Sequence, residues 1–214
     1  MKRFMLLFVV TALIPVAFAG TYTVGGGGGT GNTIPWWGNN PSYPQMRFQC
    51  IWLQTQINEA GTITKVEQQD WNANSTGGTF GGCKVLLCHT SLATITATFA
   101  DNYGGNTPVT VFDGTKVIPD VNNGDWVTIA EGSNLFQYNN TANLLYEVSW
   151  TSPSGGANYF NNSSSGQSGR VYANSATALT GTVTNGYCAV GRITITPGSG
   201  VAPSSLGRVR AMFK

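Results

Sequence analysis

The sequence predicts an all-β protein, an antiparallel β-sandwich or jelly-roll-like fold, and three observations support this. Short runs rich in β-branched and aromatic residues recur along the chain. Clusters of Gly, Asn, Asp and Pro separate these runs, and the chain contains 28 glycines. Strong apolar periodicity of 3.6 residues, which would indicate a helix, is missing. Regular turn signals between short strands are typical of sandwiches and jelly rolls.

Residues 1–19 have the three parts of a secretory signal peptide. Lys2 and Arg3 give a basic start, and an apolar run follows from Phe4. The segment 17–19, Ala-Phe-Ala, provides small residues at a cleavage site before Gly20. Pro15 interrupts the run, which is short for a bilayer span. We therefore expect a secreted protein, extracellular or on the cell surface, rather than an integral membrane protein.

Residues 20–33 form a glycine-rich N-terminal extension. Thr21, Tyr22, Thr23 and Val24 alternate polar and apolar side chains, as a short strand does. The following segment 25–31, GGGGGTG, is not followed by Lys-Ser/Thr or a predicted helix, so it is not a phosphate loop. It reads as a flexible tether. The four residues before it are therefore a candidate donor strand for the sheet of a neighbouring copy.

Trp36 and Trp37 lie in a stretch rich in Pro, Gly and Asn, outside the predicted strands. Aromatic rings of this kind form sugar-binding platforms, subunit contacts or a lid over the sandwich. Most of the other tryptophans, with Trp52 and Trp150 as examples, lie within predicted strands. Packing is the favoured interpretation for those, while the Trp36–Trp37 pair is a candidate interface or ligand site.

The sandwich is predicted to span 34–196, and its first half contains three strands. These are 46–57, a long strand; 61–71, after a turn at 59–61; and 83–90, after two Gly-Gly breaks. The segment 109–118 is predicted to be a β-hairpin, because Asp113-Gly114 between two β-rich arms is the signature of a type I′ turn.

The second half of the predicted sandwich contains the most apolar strand and the longest loop. A turn followed by a strand is expected at 122–130, and strands are expected at 143–150, 169–175 and 186–196. The segment 143–150, NLLYEVSW, is apolar enough to be a central strand. The polar segment 151–169 is predicted to be an exposed loop. A C-terminal segment, 197–214, follows as a Pro/Gly/Ser linker and a short alternating strand at 209–213.

Four cysteines, Cys50, Cys83, Cys88 and Cys188, remain after the signal peptide. In an oxidising compartment an even number indicates disulfides, here two. Cys83 and Cys88 lie five residues apart in one predicted strand, on opposite faces and about 16 Å apart, so a bridge between them is disfavoured. The other two connectivities stay open. Zinc is the weaker alternative, because the C-x4-C spacing fits poorly.

Composition excludes several classes of function. Of 11 basic and 9 acidic residues, Lys2 and Arg3 leave with the signal, so the mature chain is formally neutral at 9 against 9. A neutral chain lacks the excess of positive charge that is typical of proteins that bind nucleic acid. His89 is the only histidine and has no nucleophile motif around it, so we expect no catalytic residue and no enzyme.

The sequence also gives no metal or cofactor site. The segment 120–125, DVNNGD, resembles a calcium loop only faintly, because the distal Glu and the required order are missing. A turn that leads into Trp126 is the favoured interpretation. We therefore expect no cofactor, with calcium as the weaker alternative.

Several phrases in a fixed order resemble a repeated module of other proteins. They are AGTITKV (60–66), KVLLCHTSLATI (84–95), VFDGTKVI (111–118), GDWVTIA (124–130), FQYNNTANLLYEVSW (136–150) and AVGRITI (189–195). Together, over roughly 34–196, they resemble a β-sandwich module of secreted and surface proteins of Bacteroidota and uncultivated bacterial lineages. The resemblance implies a jelly-roll-like building or adhesive unit at cell surfaces. Here, in contrast, the module stands without a recognisable catalytic or sorting domain.

These observations lead to two functional expectations. The first is a secreted structural subunit that polymerises with itself into an extracellular filament through donor-strand contacts of residues 20–24. The alternative is a monomeric carbohydrate-binding or adhesive module that binds glycans or a host surface through its aromatic residues.

Overall fold

The computed structural model describes residues 18–26, 29–32, 34–71, 75–156, 160–163 and 167–198. It confirms the all-β, sandwich-like fold, with antiparallel strand pairing in its sheets. The strands are β1 Gly20–Val24, β2 Gly29–Asn32, β3 Met46–Trp52, β4 Gly61–Gln69, β5 Gly78–Thr90, β6 Val109–Ile118, β7 Trp126–Tyr138, β8 Asn143–Trp150, β9 Ser152–Gly155, β10 Phe160–Ser163, β11 Arg170–Ala173, β12 Thr182–Thr184, β13 Cys188–Ala189 and β14 Gly191–Thr196.

Two large sheets form the body of the molecule. The larger has the order β12-β11-β3-β8-β5-β6, with β9 also paired to β5. The smaller is four-stranded, in the order β1-β14-β4-β7. A third, small sheet joins β13, β10 and β2. The central place of β8 between β3 and β5 confirms the prediction for 143–150.

The main core lies between the two large sheets. Alternate residues of β3 and β8, such as Phe48 and Tyr146, share one apolar cluster with Ile63 of β4 and Ile193 of β14. Trp52 stacks on Tyr146 with ring centroids 4.7 Å apart. Because both sheets contribute to one continuous cluster, the architecture is two packed layers.

The outer face of the larger sheet is also covered. Ile95 and Phe99, from the segment that follows β5, pack on Ile51, Leu145 and Val171 in a second apolar cluster. The strands β3 and β8 are therefore buried on both faces. This explains why β8 reads as a nearly continuous apolar run.

A buried polar network fixes this covering segment to the sheet. Arg47 Nε donates to Glu147 Oε1 at 2.9 Å, and Arg47 also donates to the hydroxyl of Tyr103 at 3.0 Å. Asn102 donates to the side-chain oxygen of Gln49 at 2.9 Å, and Gln49 in turn donates to Glu147. We call these five residues the outer-face network. Its members satisfy one another, which is the condition for keeping a carboxylate inside a fold.

Two predicted strand segments differ in detail. The segment predicted as one strand over 46–57 is β3 up to Trp52, followed by a short helix α1, Gln54–Ile57. Asn58 ends this helix in a left-handed conformation with φ of 52°. The amide of Gln54 hydrogen-bonds to the Asn143 side chain at 2.7 Å, so a tertiary contact supports the start of the helix.

The predicted hairpin at Asp113-Gly114 is wrong. Residues 109–118 form one strand, β6, whose whole length pairs with β5. The register shifts between Phe80 and Cys83, opposite the segment that contains Gly114. Gly114 has φ of 155°, and it accommodates this irregularity inside the strand instead of a turn. Long-range pairing with β5 outweighs the local preference of Asp113-Gly114 for a turn.

The prediction of an exposed loop over 151–169 is only partly right. β9 pairs with the start of β5, and β10 pairs with β2 and β13. β9 has the sequence SPSG, and β10 has a single β-former, Phe160, followed by Asn, Asn and Ser, so local propensity gives little signal for either strand.

Two further predictions fall largely outside the described residues. They are the signal peptide, apart from 18–19, and the C-terminal strand at 209–213. Within the part of the chain that is described, no helix has the length and apolar character needed to cross a bilayer.

Candidate functional site

The candidate donor strand lies on the edge of the chain's own smaller sheet. β1 pairs antiparallel with β14, with Tyr22 opposite Ile193 and Val24 opposite Gly191. Val24 is fully buried and Tyr22 is half-buried, while Thr21 and Thr23 are exposed. The predicted alternation of inward and outward side chains is therefore present, but the sheet that receives the strand belongs to the same copy.

A tight turn follows β1. Gly25 and Gly26 have φ of 83° and 84°, a region that L-residues other than glycine rarely occupy. The Gly25 amide donates to Gln56 Oε1 at 3.2 Å. A Cβ at Gly25 would lie 2.2 Å from the carbonyl oxygen of Ala189. Glycine is thus needed here both for the backbone conformation and for the close approach to β13.

An open cleft of about 420 Å³ lies beside β11 and β12. Its lining includes Ser42, Tyr43, Tyr172, Asn174, Thr180 and Thr182. The rings of Tyr43 and Tyr172 lie 6.3 Å apart, and Trp37 stacks on Tyr43 at 5.7 Å with an interplanar angle of 25°. We call this the aromatic cleft. Aromatic faces next to hydroxyl and amide groups form a surface that suits sugar rings.

The two predicted site tryptophans separate in the structure. Trp36 is fully buried, its indole N–H donates to Gln68 Oε1 at 2.7 Å, and its ring packs edge-on to Phe80. Trp36 is therefore a core residue that no ligand reaches in this structure. Trp37 is half-buried and does not line the aromatic cleft itself, but it stacks on Tyr43, which does.

Sequence reasoning missed Tyr172 as a member of the cleft. Tyr172 lies 129 positions after Tyr43 in the sequence, and the pairing of β11 with β3 brings the two rings together. No local pattern contained this information.

A buried cation lies behind the aromatic cleft. Arg170 is 5% exposed, and its Nε and Nη1 atoms have no hydrogen-bond partner among the described residues. Its guanidinium lies 5.5 Å from the ring centroids of both Tyr172 and Tyr187. The π faces of the two tyrosines thus hold this charge in place of a carboxylate. Burial lowers the pKa of Arg170 below its ordinary value.

The four cysteines are buried free thiols, so the structure contains neither of the two predicted disulfides. Cys83 belongs to the core between the sheets and Cys88 to the outer cluster, in agreement with their predicted placement on opposite faces. Burial raises the pKa of Cys83 to about 12 and that of Cys88 to about 11. Both thiols are therefore protonated and unreactive near neutral pH.

His89 has structural contacts. Its Nε2 accepts a hydrogen bond from the amide of Asn139 at 3.2 Å, and its ring lies 4.7 Å from that of Phe136. Burial lowers the pKa of His89 below its ordinary value of 6.5. This arrangement requires the neutral imidazole, because a protonated Nε2 cannot accept a hydrogen bond.

We expect the stability of the protein to fall as the pH is lowered from 7 to 5, in part through His89. The unfolded chain takes up a proton near pH 6.5, whereas the folded chain resists protonation until a lower pH, so acid favours unfolding in that window. Urea unfolding at several pH values should show a smaller pH dependence for His89→Gln than for the wild type. Equal slopes for the two proteins would contradict this assignment.

The segment 120–125 forms turns in which the carboxylates are occupied. Asp125 Oδ2 accepts from the Asn122 amide at 3.0 Å, and Asp120 Oδ1 accepts from the Gly77 amide. Across the described residues, no group of three or more His, Cys, Asp or Glu side chains is placed to hold a metal ion.

Comparison with known proteins gives no match: no family model, no curated protein and no solved structure resembles the chain significantly. The resemblance to surface modules of Bacteroidota therefore stays a prediction from the sequence.

Proposed function

We propose that the chain is a secreted, non-catalytic structural subunit that assembles head to tail into an extracellular filament by exchanging β1 between copies. The observation that carries the proposal is the placement of β1, which is an edge strand joined to the body through glycines. In the exchanged form, β1 of one copy would pair with β14 of the next.

The contacts of β1 explain how such an exchange would be specific. Val24 is fully buried in the core cluster, and Tyr22 packs against the same cluster. The five residues of β1 pair with Gly191–Ile195, so the whole strand is in register with β14. Each copy has the same β1 and the same β14. In the exchanged form, β1 would therefore make the same residue pairs with β14 of a neighbouring copy as it makes with β14 of its own copy in the closed form.

The segment between β1 and β2 is short. Residues 25–28 connect β1 to β2, and four residues span at most about 14 Å. A short hinge that contains strained residues favours domain exchange, because the opened form relieves their constraint. Gly25 and Gly26, with positive φ, are the residues whose conformation would change.

Concentration decides between the closed and the exchanged forms. Because the two forms share the same contacts at β14, their difference in free energy comes from the hinge and from the cost of association. An exchange in which each copy donates forward and accepts from behind does not close on itself, so it extends into a filament. The neutral mature chain has little charge repulsion to oppose such association.

A pair of introduced cysteines distinguishes the two forms directly. Thr21 lies opposite Thr194 in the β1–β14 pair, so Thr21→Cys with Thr194→Cys should form a disulfide wherever these strands meet. In an exchanged filament the bond links different copies, and non-reducing electrophoresis should give a ladder of multimers. Electron microscopy of the same sample should show filaments.

The control places the second cysteine within one body. Thr194 also lies opposite Lys65 of β4, so Thr194→Cys with Lys65→Cys should give a cross-linked monomer in every case. If the Thr21–Thr194 pair also gives monomers alone at all protein concentrations, β1 stays in its own copy and the filament proposal fails.

The aromatic cleft favours a second candidate function, the binding of glycans by a monomeric adhesive module. Its volume of about 420 Å³ suits one or two sugar units, and it combines tyrosine faces with Ser, Thr and Asn groups. Arg170 behind Tyr172 adds positive charge, which favours acidic over neutral sugars.

We expect any glycan binding to depend on Trp37 and Tyr172. Tyr172→Ala and Trp37→Ala should each weaken binding of an acidic oligosaccharide by about fivefold, because the first removes a stacking surface and the second removes the ring that supports Tyr43, each worth about 1 kcal/mol. Trp71→Ala is the matched control, since Trp71 is 41% exposed and lies outside the cleft. Equal affinities for the three variants in titration calorimetry would exclude the cleft as the binding site.

A further inference from the structure

Cys50 and Cys188 meet in the core although 138 positions separate them in the chain. Strand β13 crosses the inner side of β3: Trp52 Nε1 donates to the carbonyl oxygen of Ala189 at 2.9 Å, and Cys188 Sγ lies 3.6 Å from the carbonyl oxygen of Ile51. The two thiols share the same buried cluster, and Cys188 hydrogen-bonds to the side chain of Cys50.

The strand register rules out a bond between Cys50 and Cys83, and the position of Cys88 rules out its bond to Cys50 or Cys188. Cys50 lies opposite Tyr146, which lies opposite Leu87, so Cys83 is four residues further along β5 and two strands away. These steps amount to about 13 Å along the strand and about 9.5 Å across the sheet, beyond the reach of a disulfide. Cys88 lies in the outer cluster, on the opposite side of the sheet from Cys50 and Cys188.

We propose that Cys50 and Cys188 form a single disulfide when the chain folds in an oxidising environment, while Cys83 and Cys88 stay as thiols. This pair is neither of the two combinations that sequence spacing left open. The inference is independent of strand exchange, because both residues belong to the body of one copy.

The reaction requires an external disulfide, such as oxidised glutathione. The thiolate of one cysteine attacks this disulfide and forms a mixed disulfide, and one glutathione thiolate leaves. The second cysteine thiolate then displaces the other glutathione, which closes the Cys50–Cys188 bond. In total the two cysteines lose two protons and two electrons, and the oxidised glutathione becomes two thiols.

Burial sets the time at which the bond can form. In the folded reduced protein, burial and the hydrogen bond that the Cys188 thiol donates to Cys50 raise the pKa of Cys188 well above its ordinary value, so thiolate is scarce. Both thiols are fully buried and closed to an exchange partner. Oxidation is therefore fast during folding, before β13 packs on β3, and slow afterwards.

The test is to refold the purified chain with a mixture of reduced and oxidised glutathione and to map its peptides by mass spectrometry. We expect a loss of two mass units, two alkylatable thiols after denaturation, and one cross-linked peptide pair that contains Cys50 and Cys188. Reduction should lower the melting temperature by about 10 °C, because the bond closes a long loop. A folded reduced sample given the same mixture should oxidise much more slowly.

Variants provide the control. Cys83→Ser should keep the cross-linked pair, whereas Cys188→Ser should lose it and show no change of melting temperature on reduction. Four free thiols after oxidative refolding of the wild type, or a cross-link between any other two cysteines, would overturn the proposal. The wild-type peptide map decides the question even if a variant fails to fold.

Discussion

Replacement of Arg47 by methionine is expected to lower the free energy of unfolding by about 3 kcal/mol, because it leaves a buried carboxylate without its cation. The Glu147 side chain is 3% exposed and accepts a 2.9 Å hydrogen bond from Arg47 Nε. Arg47 also donates to the carbonyl oxygen of Ala178 at 2.8 Å and lies 4.5 Å above the ring of Phe99. Methionine keeps much of the apolar contact but none of the donors. Urea unfolding of the two proteins gives the difference.

A surface ion pair provides the matched control for this prediction. Lys84 and Asp113 lie 3.4 Å apart, and their side chains are 55% and 57% exposed. Lys84→Met should change the free energy of unfolding by less than about 1 kcal/mol, since water screens an exposed pair. Similar losses for Lys84→Met and Arg47→Met would show that burial does not decide the role of Glu147.

Gly25→Ala is expected to detach β1 from the body, at a cost of about 3 kcal/mol. An alanine at φ of 83° is strained by about 1 kcal/mol, and its Cβ would lie 2.2 Å from the carbonyl oxygen of Ala189. The backbone of β13 cannot move away from this contact without disturbing the small sheet that contains it. Overpacking of this kind usually adds about 1–3 kcal/mol to the cost. Hydrogen exchange should show amides of residues 20–24 that exchange faster than in the wild type.

Gly105→Ala is the matched control, because it introduces the same backbone strain as Gly25→Ala without a steric clash. Gly105 has φ of 82°, almost the value of Gly25, but a Cβ there meets nothing within 4 Å. Gly105→Ala should therefore cost only the conformational strain of about 1 kcal/mol. If the two alanine variants lose equal stability, the close approach of Gly25 to Ala189 has no energetic weight.

The fold class and most strands could be predicted from the sequence because burial patterns are local signals. The apolar run at 143–150 identified β8, and its burial on both faces explains the strength of the signal. Asp113-Gly114 failed as a hairpin signal, because pairing of all of β6 with β5 outweighs the preference of two residues for a turn. β9 and β10 gave little signal, since their residues take part in sheets only through their partners.

The candidate sites were harder to predict than the fold because they depend on contacts between distant residues. The spacing of Cys83 and Cys88 correctly predicted opposite faces, but the contact of Cys50 with Cys188 depends on where β13 crosses β3. Trp36 and Trp37 are adjacent in sequence, and one is fully buried while the other stacks on Tyr43. Tyr172 enters the cleft only through the pairing of β11 with β3.

The antiparallel pairing of β1 with β14 has a mechanical consequence. Gly20 lies opposite Ile195, so β1 begins at the corner of the molecule where β14 ends. A force that pulls residues 20 and 196 apart would act on the nearest backbone bond first and peel the strand away one bond at a time. Peeling needs much less force than shearing all the bonds together, so tension between the two ends would release β1 and leave the layers behind it intact.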